Sequence, residues 1–204
     1  MAELTGRSAA RRRGRPAPEP PGTGAAAEDA EPDPESVARA IVLRRLTGSA
    51  QSRAQLADAL ARRDVPQDVA TRVLDRFTEV GLVDDQEYAR MFVRSRHTER
   101  GLSRRALGVE LRRKGIDDET AAAALEDVDD ADEERAAREL VRRRLRTTTT
   151  LETAVRVRRV YGALGRKGYP PGLVARLVRE ELAAEGTDVD GTQAGGIDVD
   201  GTDT

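Results

Sequence analysis

The chain has 204 residues, 38% hydrophobic and 35% charged, with a net charge of −2 and no cysteine. Without cysteine there are no disulfides and no thiolate metal sites. No apolar run approaches the ~20 residues of a membrane span, and the arginine-rich N-terminus is not followed by the apolar stretch of a secretory signal, so we expect a soluble cytoplasmic protein that avoids membranes.

Residues 1–35 hold most of the prolines and the basic run Arg11-Arg12-Arg13-Gly14-Arg15, with no apolar period. Such sequence buries too little surface to offset the entropy of ordering, and we expect a disordered arm. The same expectation applies to 186–204, which carries five aspartates and no base. The body between, 36–185, has 30 basic and 25 acidic residues, a net +5. A basic body with an acidic tail points to anionic partners.

Within the body the apolar spacing is helical throughout. Helices are expected at about 36–47, 52–63 and 67–80, then 85–99, 103–114 and 117–127, then 131–146, 151–167 and 171–184. Val69, Val73, Leu74, Phe77 and Val80 make one stripe, and Leu173, Val174, Leu177, Val178 and Leu182 another. Ser52-x-x-Gln55, Asp84-x-x-Glu87 and Thr149-x-x-Glu152 have capping-box spacing, and Ser103 is a further N-cap candidate.

The nine helices fall into three copies of one pattern. Leu60-Ala61-Arg62-Arg63-Asp64-Val65, Leu111-Arg112-Arg113-Lys114-Gly115-Ile116 and Leu164-Gly165-Arg166-Lys167-Gly168-Tyr169 each run leucine, basic residues, a turn residue tolerant of left-handed backbone, then an apolar residue. Ser52-Arg53 aligns with Ser103-Arg104, but the third copy has Arg156-Val157 there. In-register recurrence marks a repeat architecture. We therefore expect an all-α fold of three tandem three-helix repeats, at 36–83, 84–130 and 131–185, forming an elongated, curved stack of right-handed helices whose copies bury faces against one another. Ala121 to Ala124 is a thin apolar face in the second copy.

A catalytic set is missing. His97 is the single histidine and has no cysteine to pair with, so it reads as a surface or interface residue. Gly162-x-x-Gly165 lies within a helical stretch and lacks the strand a phosphate loop needs. The tail fragments Asp188-Val189-Asp190-Gly191 and Asp198-Val199-Asp200-Gly201 lack the third ligand and closing glutamate of a calcium loop. No cofactor and no metal are expected. Arginine clusters remain: Arg94, Arg96, Arg100, Arg104, Arg105, Arg112, Arg113 and Lys114, then Arg142, Arg143, Arg144 and Arg146. The planar guanidinium fork suits phosphate and carboxylate recognition, and apart from Arg100 and Arg146 these are our candidate partner-binding residues. The five aromatic residues mostly sit on apolar stripes, so base stacking is not the expected mode.

The stretch from Gly81 to Arg96, Gly-Leu-Val-Asp-Asp-Gln-Glu-Tyr-Ala-Arg-Met-Phe-Val-Arg-Ser-Arg, resembles the signature of the bacterial RecX family. Ser103 to Ile116 is similar to that family's second repeat, and Ser52-Arg53-Ala54-Gln55-Leu56 to its first. The resemblance spans about 36–184. It implies three tandem three-helix repeats and a non-catalytic regulator, usually an inhibitor, that binds RecA protein or the RecA–DNA filament, in its groove or at its growing end, within DNA repair and the SOS response. It also implies that direct DNA binding occurs in some members. We expect a monomer. Of the signature residues, Gly81, Leu82, Asp84, Tyr88, Ala89, Phe92 and Gly115 are expected to hold the repeats together, with Leu82 and Val83 packing across the junction. The long arm, the Asp-Gly tail and the Thr147–Thr150 junction depart from the family pattern. The competing reading is a helix-turn-helix DNA-binding regulator, although the basic residues are spread over several helices with no single reading helix. A weaker third is an adaptor without a nucleic-acid link.

Overall fold

The computed structural model describes residues 33–186; the arm before them, and the tail with its calcium-like fragments after them, lie outside the described residues. Those residues form nine helices and no strand: α1 Pro34–Gly48, α2 Arg53–Ala61, α3 Gln67–Glu79, α4 Asp85–Arg100, α5 Arg104–Arg113, α6 Asp118–Leu125, α7 Asp130–Arg146, α8 Thr153–Gly165 and α9 Pro171–Ala184. They group in threes as the sequence pattern requires.

The recurring turn is built from the same hydrogen bonds three times. Asp64, Gly115 and Gly168 all have positive φ, 56°, 77° and 85°. The amide of the next residue donates back five positions: Val65 to Leu60, Ile116 to Leu111 and Tyr169 to Leu164, each at 3.2 Å. The turn residue itself donates to Ala61, Arg112 and Gly165, at 3.0, 2.9 and 2.9 Å. This pair of bonds closes a Schellman motif and satisfies carbonyls the helix end leaves open. Gly81, φ 71°, ends α3 in the same way.

Helix starts follow their caps. Ser52 forms the full capping box with Gln55. Asp84 accepts from the amides of Gln86 and Glu87, but Glu87 does not return the bond; it pairs with Arg94 at 3.3 Å. Ser103 accepts from Ala106 N. The expected box at Thr149 and Glu152 is absent: α8 starts at Thr153 with no side-chain cap. The threonine run instead finishes α7, because the Thr147 and Thr148 hydroxyls donate to Arg144 O at 3.0 and 2.8 Å. A threonine hydroxyl satisfies an orphan carbonyl as readily as an orphan amide, so spacing alone gave the wrong helix.

Each copy closes its own core. The buried apolar residues form three separate clusters, one around Val42, Leu56, Leu60 and Leu74, one around Val93, Leu107 and Leu111, and one around Val141, Leu145, Leu164 and Leu177. Neighbouring copies do bury surface against one another, Ser52 and Ser103 being fully buried where they meet, but no apolar cluster spans two copies. Tyr88, Ala89 and Phe92 are buried in the second copy's own core, with the two rings stacked at 6.1 Å. Val83 is buried in the first copy's own core, whereas Leu82 and Val80 are about half exposed, 54% and 52%. The thin face of α6 works by close approach. Ala121 and Ala124 are buried, and a Cβ on Gly108 of α5 would come within 3.3 Å of Leu125.

The junctions are polar and they repeat. The turn of each later copy sits on the start of the preceding copy's second helix. At the first junction Ser52 Oγ donates to Lys114 O at 2.5 Å, Asp85 accepts from Arg53 N at 2.8 Å, and a Cβ on Gly115 would overlap Ala54. At the second, Ser103 N donates to Lys167 O at 3.0 Å and Glu133 accepts from Arg104 N at 3.0 Å. A Cβ on Gly168 would come within 2.5 Å of Ser103 Oγ and 2.8 Å of Ala106 Cβ. In the third copy Arg156 takes the place of these serines. It lies inside α8, 6% exposed, and bonds Leu145 O at 3.3 Å and Glu185 at 2.6 Å.

Candidate partner-binding surface

Copy three orients its arginines through an ion-pair ladder. Glu134 meets Arg176 at 2.6 Å, Arg138 meets Glu180 at 2.7 Å and Glu181 at 3.0 Å, and Arg142 meets Glu181 at 2.7 Å. Residue numbers rise together along α7 and α9, so the two helices run parallel. Hydrogen bonds from Arg176 and then Arg138 hold the Glu134 carboxyl down to about 2, from 4.5. A carboxylate depressed on folding contributes stability above its unfolded value and loses it as the pH falls from about 4.5 towards 2. A carboxyl-carbon NMR titration should therefore place the Glu134 midpoint near 2, and Arg176→Gln should move it upward. A wild-type midpoint near 4.5 would mean the ladder does not form in solution.

The ladder sorts the arginines named above. Arg142 is engaged with Glu181, and Arg104 with Asp130 at 2.5 Å. Arg94 pairs with Glu87, and Arg112 with Asp118 at 3.4 Å. Arg96 lies over the Phe92 ring, 5.3 Å from its centre. Lys114 is half-buried in the first junction, where its carbonyl receives Ser52. By contrast Arg105, Arg113, Arg143 and Arg144 are exposed, and no acidic partner faces them among the described residues.

Arg143 and Arg144 do not stand alone. A groove of about 410 Å³ runs between the C-terminal end of α4 and α7, lined by His97, Arg100, Gly101, Leu140, Arg143 and Arg146 among others. Lys167 reaches its edge and donates to Arg100 O. Burial, then the nearby Arg143, Arg100 and Arg144, push the Lys167 ammonium below its ordinary value. Four cationic side chains thus come together, Arg100 from α4, Arg143 and Arg144 from α7, and Lys167 from the turn after α8. Sequence clustering found Arg143 and Arg144 but left out Arg100 and Arg146 as partner residues, and it read Lys167 only as part of a turn. The repeat alignment sets Lys167 in register with Lys114, and the two carbonyls do the same work, Lys114 O receiving Ser52 at the first junction and Lys167 O receiving Ser103 at the second. Glu99 and Glu139 also line the groove, and the His97 ring nitrogen Nδ1 is taken up by Leu102 O at 3.0 Å.

The equivalent groove at the first junction differs in chemistry. It is lined by Gln51, Tyr88, Met91, Phe92, Arg96 and Lys114, with Met91 exposed. The first groove thus sets aromatic and thioether surface beside Arg96 and Lys114, whereas the second sets four arginines beside Glu99 and Glu139. Among the described residues no group of three histidine, cysteine or acidic side chains is arranged to hold a metal ion. No described helix is long and apolar enough to cross a membrane.

Comparison with known proteins agrees with this architecture copy by copy. Family models for the first, second and third three-helix domains of RecX match residues 38–77, 84–125 and 132–178. The chain is 55% identical over 171 residues to the regulatory protein RecX of Thermobifida fusca, covering 84% of this chain and 90% of that one. It is 48% identical over 155 residues to the regulatory protein RecX of Mycolicibacterium smegmatis, covering 74% and 82%. The crystal structure of RecX from Lactobacillus salivarius superposes with a TM-score of 0.65 over 72% of this chain and 96% of that one; at 20% identity it speaks to the fold alone. With all three repeats matched in order and relatives similar over most of their length, the chain belongs to the RecX family of regulatory proteins.

Proposed function

We propose that the protein regulates RecA by binding RecA or its filament on DNA, lowering recombinase and coprotease activity without any chemistry of its own. The observation that carries this reading is the convergence of Arg100 and Arg143, with Arg144 and Lys167 at the edge, on the groove between the second and third copies, the three arginines having no acidic partner among the described residues. Guanidinium groups without internal partners are free to meet the carboxylates or phosphates of a filament, and a partner that covers them gains charge-assisted hydrogen bonds. The family supplies the partner's name; the surface supplies the means. The reading places the protein in the cytoplasm, as a monomer off the filament.

Adding the protein to RecA on single-stranded DNA should lower the rate of ATP hydrolysis at ratios well below one protein per RecA subunit. No effect at any ratio, combined with tight binding to bare duplex, would favour a DNA-binding regulator instead.

A further inference from the structure

The sequence beyond the described residues, 187–204, contains Asp188, Asp190, Asp198, Asp200 and Asp203 and no basic residue. The point where it leaves the fold is fixed by a chain of contacts. Glu185, the second residue before it, pairs with Arg156 at 2.6 Å, and Arg156 donates to Leu145 O at 3.3 Å. Leu145 lies between Arg144 and Arg146, and the parallel course of α7 and α9 brings both helix ends to the same side. The described chain therefore ends on the same side as Arg144 and Arg146, which have no acidic partner among the described residues.

We propose that segment 187–204 docks on the cationic groove lined by Arg100, Arg143 and Arg146 and flanked by Arg144, and competes there with any anionic partner. Length permits it. Eighteen residues (187–204) span up to roughly 60 Å extended and about 24 Å as a flexible coil. Tethering holds the carboxylates at an effective concentration on the order of millimolar. The charges complement: of the groove's arginines only Arg142 is held by a carboxylate, Glu181, and Arg100, Arg143 and Arg146 have no acidic partner among the described residues to oppose the five aspartates of the segment. The contact is ionic and exposed, so it fades as salt shortens the Debye length below about 8 Å. The docked segment sets a threshold: a partner must present a denser array of anions than the tail to displace it. This rests on the surface and the segment alone, whatever the partner's identity.

Two measurements on the full chain test it. Because the protein has no cysteine, Thr204→Cys accepts a single nitroxide. At low salt the label should broaden the backbone amides of Arg143, Arg144 and Arg146. The broadening should be independent of protein concentration, relieved by salt, and lost when the five aspartates are changed to asparagine. Absence of broadening overturns the proposal, and so does broadening that grows with protein concentration, since the occupant is then a second copy. In the second measurement the five-asparagine variant should bind fluorescein-labelled oligothymidylate on the order of tenfold tighter than wild type at low salt. That gap should close as salt rises, and should vanish in Arg143→Gln/Arg144→Gln/Arg146→Gln. Equal affinities, or the same gap in the arginine variant, would mean the tail acts through net charge or not at all. Neither readout contains RecA, so a failure here is separate from a failure of the proposed function.

Discussion

Gly115→Ala should lower the melting temperature several times more than Gly81→Ala. Both glycines hold positive φ, 77° and 71°, so both variants carry the left-handed penalty of an L-residue, about 1–2 kcal/mol. Only Gly115 is also pressed against another copy, with its missing Cβ falling on Ala54, whereas nothing lies within 4 Å of a Cβ on Gly81. Overpacking typically adds about 1–3 kcal/mol. The totals are then about 3 kcal/mol at Gly115 and about 1 kcal/mol at Gly81, or roughly 10 °C against 3 °C for a domain of this size. Calorimetry decides it. Equal shifts would show that the turn does not seat on α2 in solution, and the polar junction would lose its main support. A double variant, Gly115→Ala with Ala54→Gly, should recover the overlap part but not the backbone part.

Arg143→Glu with Arg144→Glu should weaken inhibition of RecA on the order of a hundredfold while helical circular dichroism stays unchanged. Reversing two exposed charges at an interface replaces attraction by repulsion, which costs several kcal/mol, and neither arginine has an internal partner to lose among the described residues. The choice of residues matters. Arg142→Glu would set a carboxylate against Glu181, which is only 11% exposed at its side chain, and would damage the third copy itself. The same assay as for the wild type, read as the concentration giving half inhibition, separates the outcomes. An unchanged concentration would remove the groove from the partner surface.

The left-handed turns were the most legible part of the sequence. They demand a residue type that few positions tolerate, and Asp64, Gly115 and Gly168 recur in register. The apolar stripes placed the helices because burial follows the 3.6-residue period. What the sequence hid is how the copies meet. A polar junction leaves no apolar stripe to find, and its parts, Ser52, Arg53, Asp85 and Lys114, look like ordinary caps and surface charge. The groove was half legible for the same reason: a run such as Arg142-Arg143-Arg144 does not reveal which member is held by Glu181 on α9. The threonine run misled because a hydroxyl serves a helix end and a helix start alike.

The buried Arg156 has a consequence for how the last module is closed. Ser52 and Ser103 each open a helix onto which the next module's turn can settle. In the third module that seat is gone: the helix begins a turn earlier, and the position carries a long side chain folded inward onto Leu145 and Glu185. One residue of the last unit thus turns a docking seat into an internal tie between α8, α7 and the end of α9.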